Sequence, residues 1–370
     1  MTTRSPSRTR TTHRCSECGG ESPQWLGRCP ACDAWGTLEE VVARAAGSAP
    51  PRTSTALPIV EVGVAGAPRT PTGIEELDRV LGGGFTAGST TLLGGEPGIG
   101  KSTLLLQALG RLAERGRRCL LVGAEESPEQ VRGRAERLGA LHPELYLVAE
   151  SSLPHVIAHA EDLRPHVLAV DSVQTLLDPD LPGTPGSVTQ VRECASRLTR
   201  LAREQAMATI LVGHVTKDGS LAGPRQLEHV VDTVCSFEGD RYHGLRFLRA
   251  RKHRFGSTRE VGIFEMTEEG LVAVPDASAL FLADRREGGT GSVVAATVEG
   301  ARPVLVEVQA LVAPRDDGGR RVATGVDGNR LSMLLAVLER HTGVDTRRAD
   351  VYASLAGGLR VAEPGVDLAV

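Results

Sequence analysis

The chain has 370 residues, 41% hydrophobic and 24% charged, and carries a net charge of −4. That length predicts two or three domains, and the near-balanced charge means that any nucleic-acid surface must be a local patch. No apolar run approaches the roughly 18–20 residues of a membrane span, and the N-terminal arginines Arg4, Arg8, Arg10 and Arg14 precede no apolar stretch. Membrane and export readings are excluded.

Aromatic residues make up 3%, so the cores must be built from Val, Leu and Ala. The basic residues are almost all arginine. Lys101, Lys217 and Lys252 are the only lysines, and each sits in a Gly-containing motif. In such a chain a retained lysine points to a task that a planar guanidinium cannot perform.

At the N-terminus, Cys15-x2-Cys18 and Cys29-x2-Cys32 are separated by ten residues. Each pair lets one tight turn present two sulfurs, and four thiolates suit a closed, structural Zn²⁺ site. So short a segment has too little core to fold alone, so the metal supplies folding energy. Four of seven cysteines in one cluster indicate a reducing, cytoplasmic setting rather than a disulfide framework. Cys119, Cys194 and Cys235 lie in apolar patterns and read as buried core thiols. Residues 1–40 thus form a basic tail and zinc motif, and the Ala-, Pro- and Gly-rich residues 41–68 a linker.

Across 69–275 the apolar runs STTLLGG, RCLLVGA, HVLAVDS, ATILVGHV and DTVCSFEG alternate with the helical patterns STLLLQALGRLAER, PEQVRGRAERLGAL and TQVRECASRLTRLAREQ. This alternation predicts an α/β domain with a mostly parallel sheet covered on both faces. Gly95-Glu96-Pro97-Gly98-Ile99-Gly100-Lys101-Ser102 matches G-x4-G-K-[ST] between the first strand and first helix, with Thr103 next. Glycines there let backbone N–H groups curl around phosphates at a helix N-terminus. Lys101 supplies a compact charge to the phosphates, and Ser102 a Mg²⁺ ligand. Asp171 ends the strand HVLAVD and suits the second Mg²⁺-holding position. A base is needed for the attacking water. Glu125 is the favoured candidate, on a strand expected to lie adjacent to the phosphate-loop strand, with Glu126 the surface alternative.

Arg249, Arg251, Lys252 and Arg254 put four cations in six positions, after a strand and before a Gly-Ser turn. From residue 276 the pattern restarts. SVVAATVEGARPVLVEVQALVA reads as two period-two strands around a Gly turn, and a helix follows near 329–342. Residues 276–370 therefore form a separate α+β domain, and the pattern leaves open whether that domain is complete.

Together these residues resemble the bacterial RadA (Sms) recombination and repair proteins. CSECGGESPQWLGRCPACDAWGTLEE resembles that family's zinc motif, and TGIEELDRVLGGGFTAGSTTLLGGEPGIGKSTLL its entry into a RecA-like ATPase core. LVGHVTKDGSLAGPRQLEHVVDTV and RARKHRFGSTREVGIFEM are similar to two further blocks. EGARPVLVEVQALVA resembles the start of its Lon-protease-like C-terminal domain.

The resemblance implies a DNA-stimulated ATPase that uses ATP, Mg²⁺ and Zn²⁺, assembles as a hexameric ring and binds single-stranded and branched DNA. It implies branch migration of recombination intermediates, with a RecA-type recombinase as a partner. Lys252-His253-Arg254-Phe255-Gly256 matches the family's KNRFG block, with His253 where the family has Asn. By analogy with hexameric helicases, Lys252 and Arg254 reach the γ-phosphate of the adjacent subunit. His214 takes the place of a γ-phosphate sensor, feeding a DNA-binding loop over 215–227 that holds Lys217 and Arg225. A second loop, 178–192, is the other candidate for a channel lining, and Phe255 is a candidate for base stacking or for the core. Lon-type proteolysis needs a lysine amine beside a serine. No lysine follows Lys252, so Ser332 and Ser354 lack a base and the domain reads as peptidase-inactive. Two rival functions are a KaiC-like signalling ATPase and an ATP-assembled DNA scaffold that does not translocate.

Overall fold

The computed structural model describes residues 11–16, 20–22, 24–42, 58–61, 68–214, 226–239, 244–283, 285, 288–316, 318–356, 361 and 363–370. The chain divides into two compact units, Met1–Ala65 and Gly66–Val370.

In the first unit, strands β1 (Thr11–Cys15), β2 (Glu21–Ser22) and β3 (Leu38–Val42) form an antiparallel sheet in the order β2-β1-β3. Among the described residues its buried apolar cluster consists of Cys15, Cys29 and Leu38. Three side chains bury far too little surface to offset the ordering of this backbone, so an ion is needed to hold it.

The second unit opens with β4 (Arg69–Thr70), α1 (Glu75–Val80) and β5 (Phe85–Thr86). The alternating segment follows: β6 (Thr90–Gly95), α2 (Lys101–Glu114), β7 (Cys119–Gly123), α3 (Pro128–Arg137), β8 (Leu145–Val148), α4 (Leu153–Leu163), β9 (Val167–Asp171), α5 (Val188–Glu204) and β10 (Ala208–His214). A short helix, α6 (Gln226–Val230), then leads into β11 (Thr233–Gly239), β12 (Leu245–His253), β13 (Val261–Thr267) and β14 (Gly270–Ala273). The nine-stranded sheet runs β14-β13-β12-β11-β6-β10-β9-β7-β8. From β11 to β8 every pairing is parallel, and β12 to β14 add an antiparallel flank.

Consecutive strand residues point to opposite faces, so a sheet buried on both sides needs uninterrupted apolar strands. Leu93 and Leu121 pack with Leu77 of α1, Leu104 and Leu109 of α2 and Val131 of α3. Their neighbours Leu92 and Leu120 pack with Leu153 of α4 and Leu198 of α5 on the other side. Helix α3 begins with a reciprocal cap: Ser127 Oγ accepts from the Gln130 N–H, and Gln130 Oε1 accepts from the Ser127 N–H.

After α7 (Ala277–Phe281) come β15 (Ser292–Glu299), β16 (Arg302–Pro314), β17 (Arg321–Thr324), α8 (Gly328–Thr342) and β18 (Ala349–Leu355). The four strands form a second sheet, β15-β16-β18-β17. One apolar cluster joins Phe247 and Ile263 of the large sheet to Val304, Val306 and Val308 of β16. No helix among the described residues is long and apolar enough to cross a membrane.

Candidate functional site

The phosphate loop bridges β6 and α2, at the edge of the sheet where the parallel strands end. Gly98 has φ +76° and Gly100 φ +115°, and a Cβ on Gly100 would stand 2.7 Å from Met266 Cε. Only glycine fits that turn. Lys101 is buried, and its Nζ donates to the Gly95 and Glu96 carbonyls, both at 2.9 Å. Burial pulls its pKa down, against the opposing pull of the Asp171 and Glu125 carboxylates.

Asp171 ends β9, opposite Gly123 of β7. Burial raises its pKa first; the Ser102 hydroxyl bonded to it lowers it, and neighbouring Glu125 raises it. Ser102 and Asp171 therefore present their oxygens to one spot, the donor set a hard, oxygen-seeking Mg²⁺ takes. The expected adjacency of the Glu125 strand to the phosphate-loop strand does not hold. In the order β6-β10-β9-β7 two strands stand between them. Glu125 nevertheless comes near because it lies past the end of β7, on the turn running into α3. There Ser172 Oγ donates to Glu125 Oε1. Glu126 is held instead by Arg134 of α3, with Nη2 to Oε1 at 2.6 Å. Ser102, Glu125, Glu126, Arg134 and Asp171 line one cavity. Ser172 and Arg134 carry no motif, so sequence reading misses them; only the fold brings them to the two glutamates.

His214 pairs in register with Gly95, so its backbone adjoins the phosphate loop. Residues 215–225, with Lys217 and Arg225, lie outside the described residues. The second loop is shorter than expected, because α5 begins at Val188 and takes in residues 188–192. Its first residue, Asp178, is buried and bonded to Arg197 Nη1 at 2.6 Å.

The basic block is strand rather than loop as far as His253. The register of β11 against β12 shifts between Val234 and Cys235, pairing them with Lys252 and Ala250. Arg251 is the extra residue, and such a bulge re-aims the side chains that follow. Lys252 thereby shares a face with Arg249, and His253 turns to the opposite one. Lys252 Nζ donates to the Glu228 and Val231 carbonyls at the end of α6, at 2.5 and 2.7 Å. Burial lowers its pKa, and Arg254 lowers it further. Arg254 reaches the buried Asp232 at 3.5 Å, a carboxylate that also takes the Thr90 N–H and Arg203. On the other face His253 Nδ1 lies 2.9 Å from Thr233 Oγ1, and Nε2 lies 3.2 Å from the Leu81 carbonyl. Phe255 is 38% exposed, outside the core.

In the N-terminal unit the sulfurs of Cys15, Cys29 and Cys32 lie within 4.8 Å of one another, and those of Cys15 and Cys32 are 3.7 Å apart. A tetrahedron with Zn–S bonds of about 2.3 Å has edges of about 3.8 Å, so the spacing fits. Cys18 lies outside the described residues. As expected, Cys119, Cys194 and Cys235 are buried, and burial pushes their thiols up to about 12, 11 and 12.

Residues 70–147 match the family model described as ATPase: KaiC, and residues 13–40 that described as a rubredoxin metal binding domain. The DNA repair protein RadA of Bacillus subtilis is 45% identical over 372 residues, covering 98% of this chain and 81% of its own. The RadA of Streptococcus pyogenes is 50% identical over 365 residues, covering 97% and 80%. The chain belongs to the RadA family. A KaiC-like protein of Pyrococcus horikoshii is a looser structural match, at 22% identity and a TM-score of 0.46 over 56% of this chain and 100% of its own. The chain has a RecA-like ATPase core with a large, mostly parallel sheet and an N-terminal zinc ribbon. ATP and Mg²⁺ belong to the phosphate loop, and Zn²⁺ to the cysteine cluster.

Proposed function

We propose that this RadA-family ATPase is a DNA-stimulated motor, binding single-stranded and branched DNA and driving branch migration in repair. The convergence of Lys101, Ser102, Asp171 and Glu125 on one sheet edge supports the hydrolytic half of this reading. Gly95 to Thr103 wrap the phosphates, Lys101 neutralises them, and Ser102 and Asp171 hold the Mg²⁺ that screens their charge. Glu125 takes the proton of the attacking water; Glu126, engaged by Arg134, is the weaker base.

Lys252 and Arg254 serve the neighbouring protomer of a hexameric ring, where a cation against the transferred phosphoryl is worth roughly 10³–10⁵ in rate in GTPases. Lys252 is bonded to α6, whose first residues Gln226 and Leu227 close the 215–227 loop that the reading takes as the DNA contact, with His214 as sensor. DNA contact there is mainly to phosphate, so it is sequence-tolerant and salt-sensitive. Residues 276–370 act as a peptidase-inactive binding domain. A RecA-type recombinase is the expected partner, in the cytoplasm.

Steady-state ATP turnover with and without single-stranded DNA tests the reading. The motor predicts a rise with DNA that weakens as salt increases. Turnover indifferent to DNA favours the KaiC-like signalling alternative.

A further inference from the structure

The turn between β15 and β16 is pressed onto Arg259 and Val261, just past the basic block, and its Glu299 side chain reaches back to the strand that carries the block. Glu299 pairs directly with Arg302, leaving a two-residue turn of Gly300 and Ala301. Gly300 has φ +67°, and a Cβ there would collide with the Arg259 carbonyl oxygen. The Ala301 N–H donates to that same oxygen at 2.7 Å. On one side of the turn, Glu299 Oε1 meets Arg249 Nη1 of β12 at 2.5 Å. On the other, Arg302 Nη1 meets the fully buried Glu76 at 2.7 Å, and Arg302 Nη2 donates to the Val274 and Pro275 carbonyls. Glu76 Oε2 also accepts from the Ile263 N–H, which closes the circuit onto β13.

These contacts touch the segment 249–263 at three points, Arg249, Arg259 and Ile263. Within it lie Lys252 and, two residues on and just past the strand's end, Arg254; Arg249 shares the strand and the sheet face of Lys252. The side chains of Arg249 and Glu299 are 25% and 18% exposed, and Arg249 also lies 3.4 Å from Glu238, so Glu299 is the shorter of its two carboxylate contacts. A pair shielded to this degree is screened less than a fully exposed one.

We infer that this hairpin tip, through Glu299 and Arg302, is a positioning element that sets the pose of Lys252 and Arg254 for ATP turnover. The inference rests on the proposed role of the basic block. Neither Glu299 nor Arg302 adjoins the phosphate loop. Their loss is therefore expected to lower kcat while leaving nucleotide binding alone.

The test compares Glu299→Gln, Glu299→Asp and Lys252→Ala in the full-length protein. The readouts are ATP turnover, affinity for a fluorescent ATP analogue, and thermal melting. Misplacement of the cations predicts a kcat loss on the order of ten- to a hundredfold for Glu299→Gln, with nucleotide affinity retained. Glu299→Asp, which keeps the charge, restores most of that rate. Wild-type turnover in Glu299→Gln beside a dead Lys252→Ala overturns the hairpin's role alone. Wild-type turnover in Lys252→Ala overturns the block's role and this inference with it. A Glu299→Gln loss matched by equal loss of nucleotide affinity, or left unrescued by Asp, also overturns it.

Discussion

Two adjacent glutamates, Glu125 and Glu126, are indistinguishable by composition and differ in what the fold gives them. Glu126 has its own guanidinium at 2.6 Å, whereas Glu125 takes the Ser172 hydroxyl beside Asp171 and Lys101. A general base contributes about 10²–10⁴ in rate. Glu125→Gln is therefore expected to lose that much turnover while still binding nucleotide, and Glu126→Gln to stay near wild type. The opposite ranking in a steady-state assay exchanges the assignments. His253 offers a second test. Burial, the dominant cause, holds its pKa below the ordinary value of about 6.5, and nearby Arg69 lowers it too. The unfolded chain therefore takes up a proton below about pH 6.5 that the folded chain resists. Stability from this residue is complete above that pH and is lost as pH falls through the window. Thermal melting against pH should show this decline in the wild type and a flatter profile in His253→Asn.

At the scale of elements, what the sequence made legible was what short-range physics governs. The phosphate loop, the five core strands and the helices α2, α3 and α5 follow from apolar spacing and glycine placement. The hairpin turn at Gly300 was legible for the same reason. Strand order was not, because Gly123 meets Asp171 only through pairings set across the whole sheet. The bulge at Arg251 was equally hidden, since a one-residue register shift leaves no mark on composition. The Glu76–Arg302 pair spans two distant parts of the chain and has no local signature either. Breaking it removes the nearest cation from a buried carboxylate and leaves it Arg79 at 3.4 Å and the Ile263 N–H. Arg302→Met should therefore cost about 1–3 kcal/mol in denaturant unfolding, and adding Glu76→Gln should recover much of that. Additive losses in the double variant contradict the pairing. The zinc module yields its own check. Trp25 and Trp35, 62% and 76% exposed, are the chain's only tryptophans. With so small a core, chelation should free both side chains and lower tryptophan fluorescence anisotropy. Unchanged anisotropy after zinc removal means the module holds itself together.

The whole molecule joins two devices that act only together on the proposed reading. One is a phosphate loop with its Mg²⁺ ligands and base at the edge of a parallel sheet. The other is a basic strand on the antiparallel flank, fastened by the C-terminal hairpin. The decisive measurement is ATP turnover in a mixture of Lys101→Ala and Lys252→Ala proteins, each inactive alone. If the basic block of one protomer serves the phosphate loop of the next, mixed assemblies contain some interfaces with both parts intact. The mixture then regains a fraction of wild-type turnover. A mixture as inactive as its components, in assemblies verified to contain both variants, contradicts hydrolysis shared between neighbours.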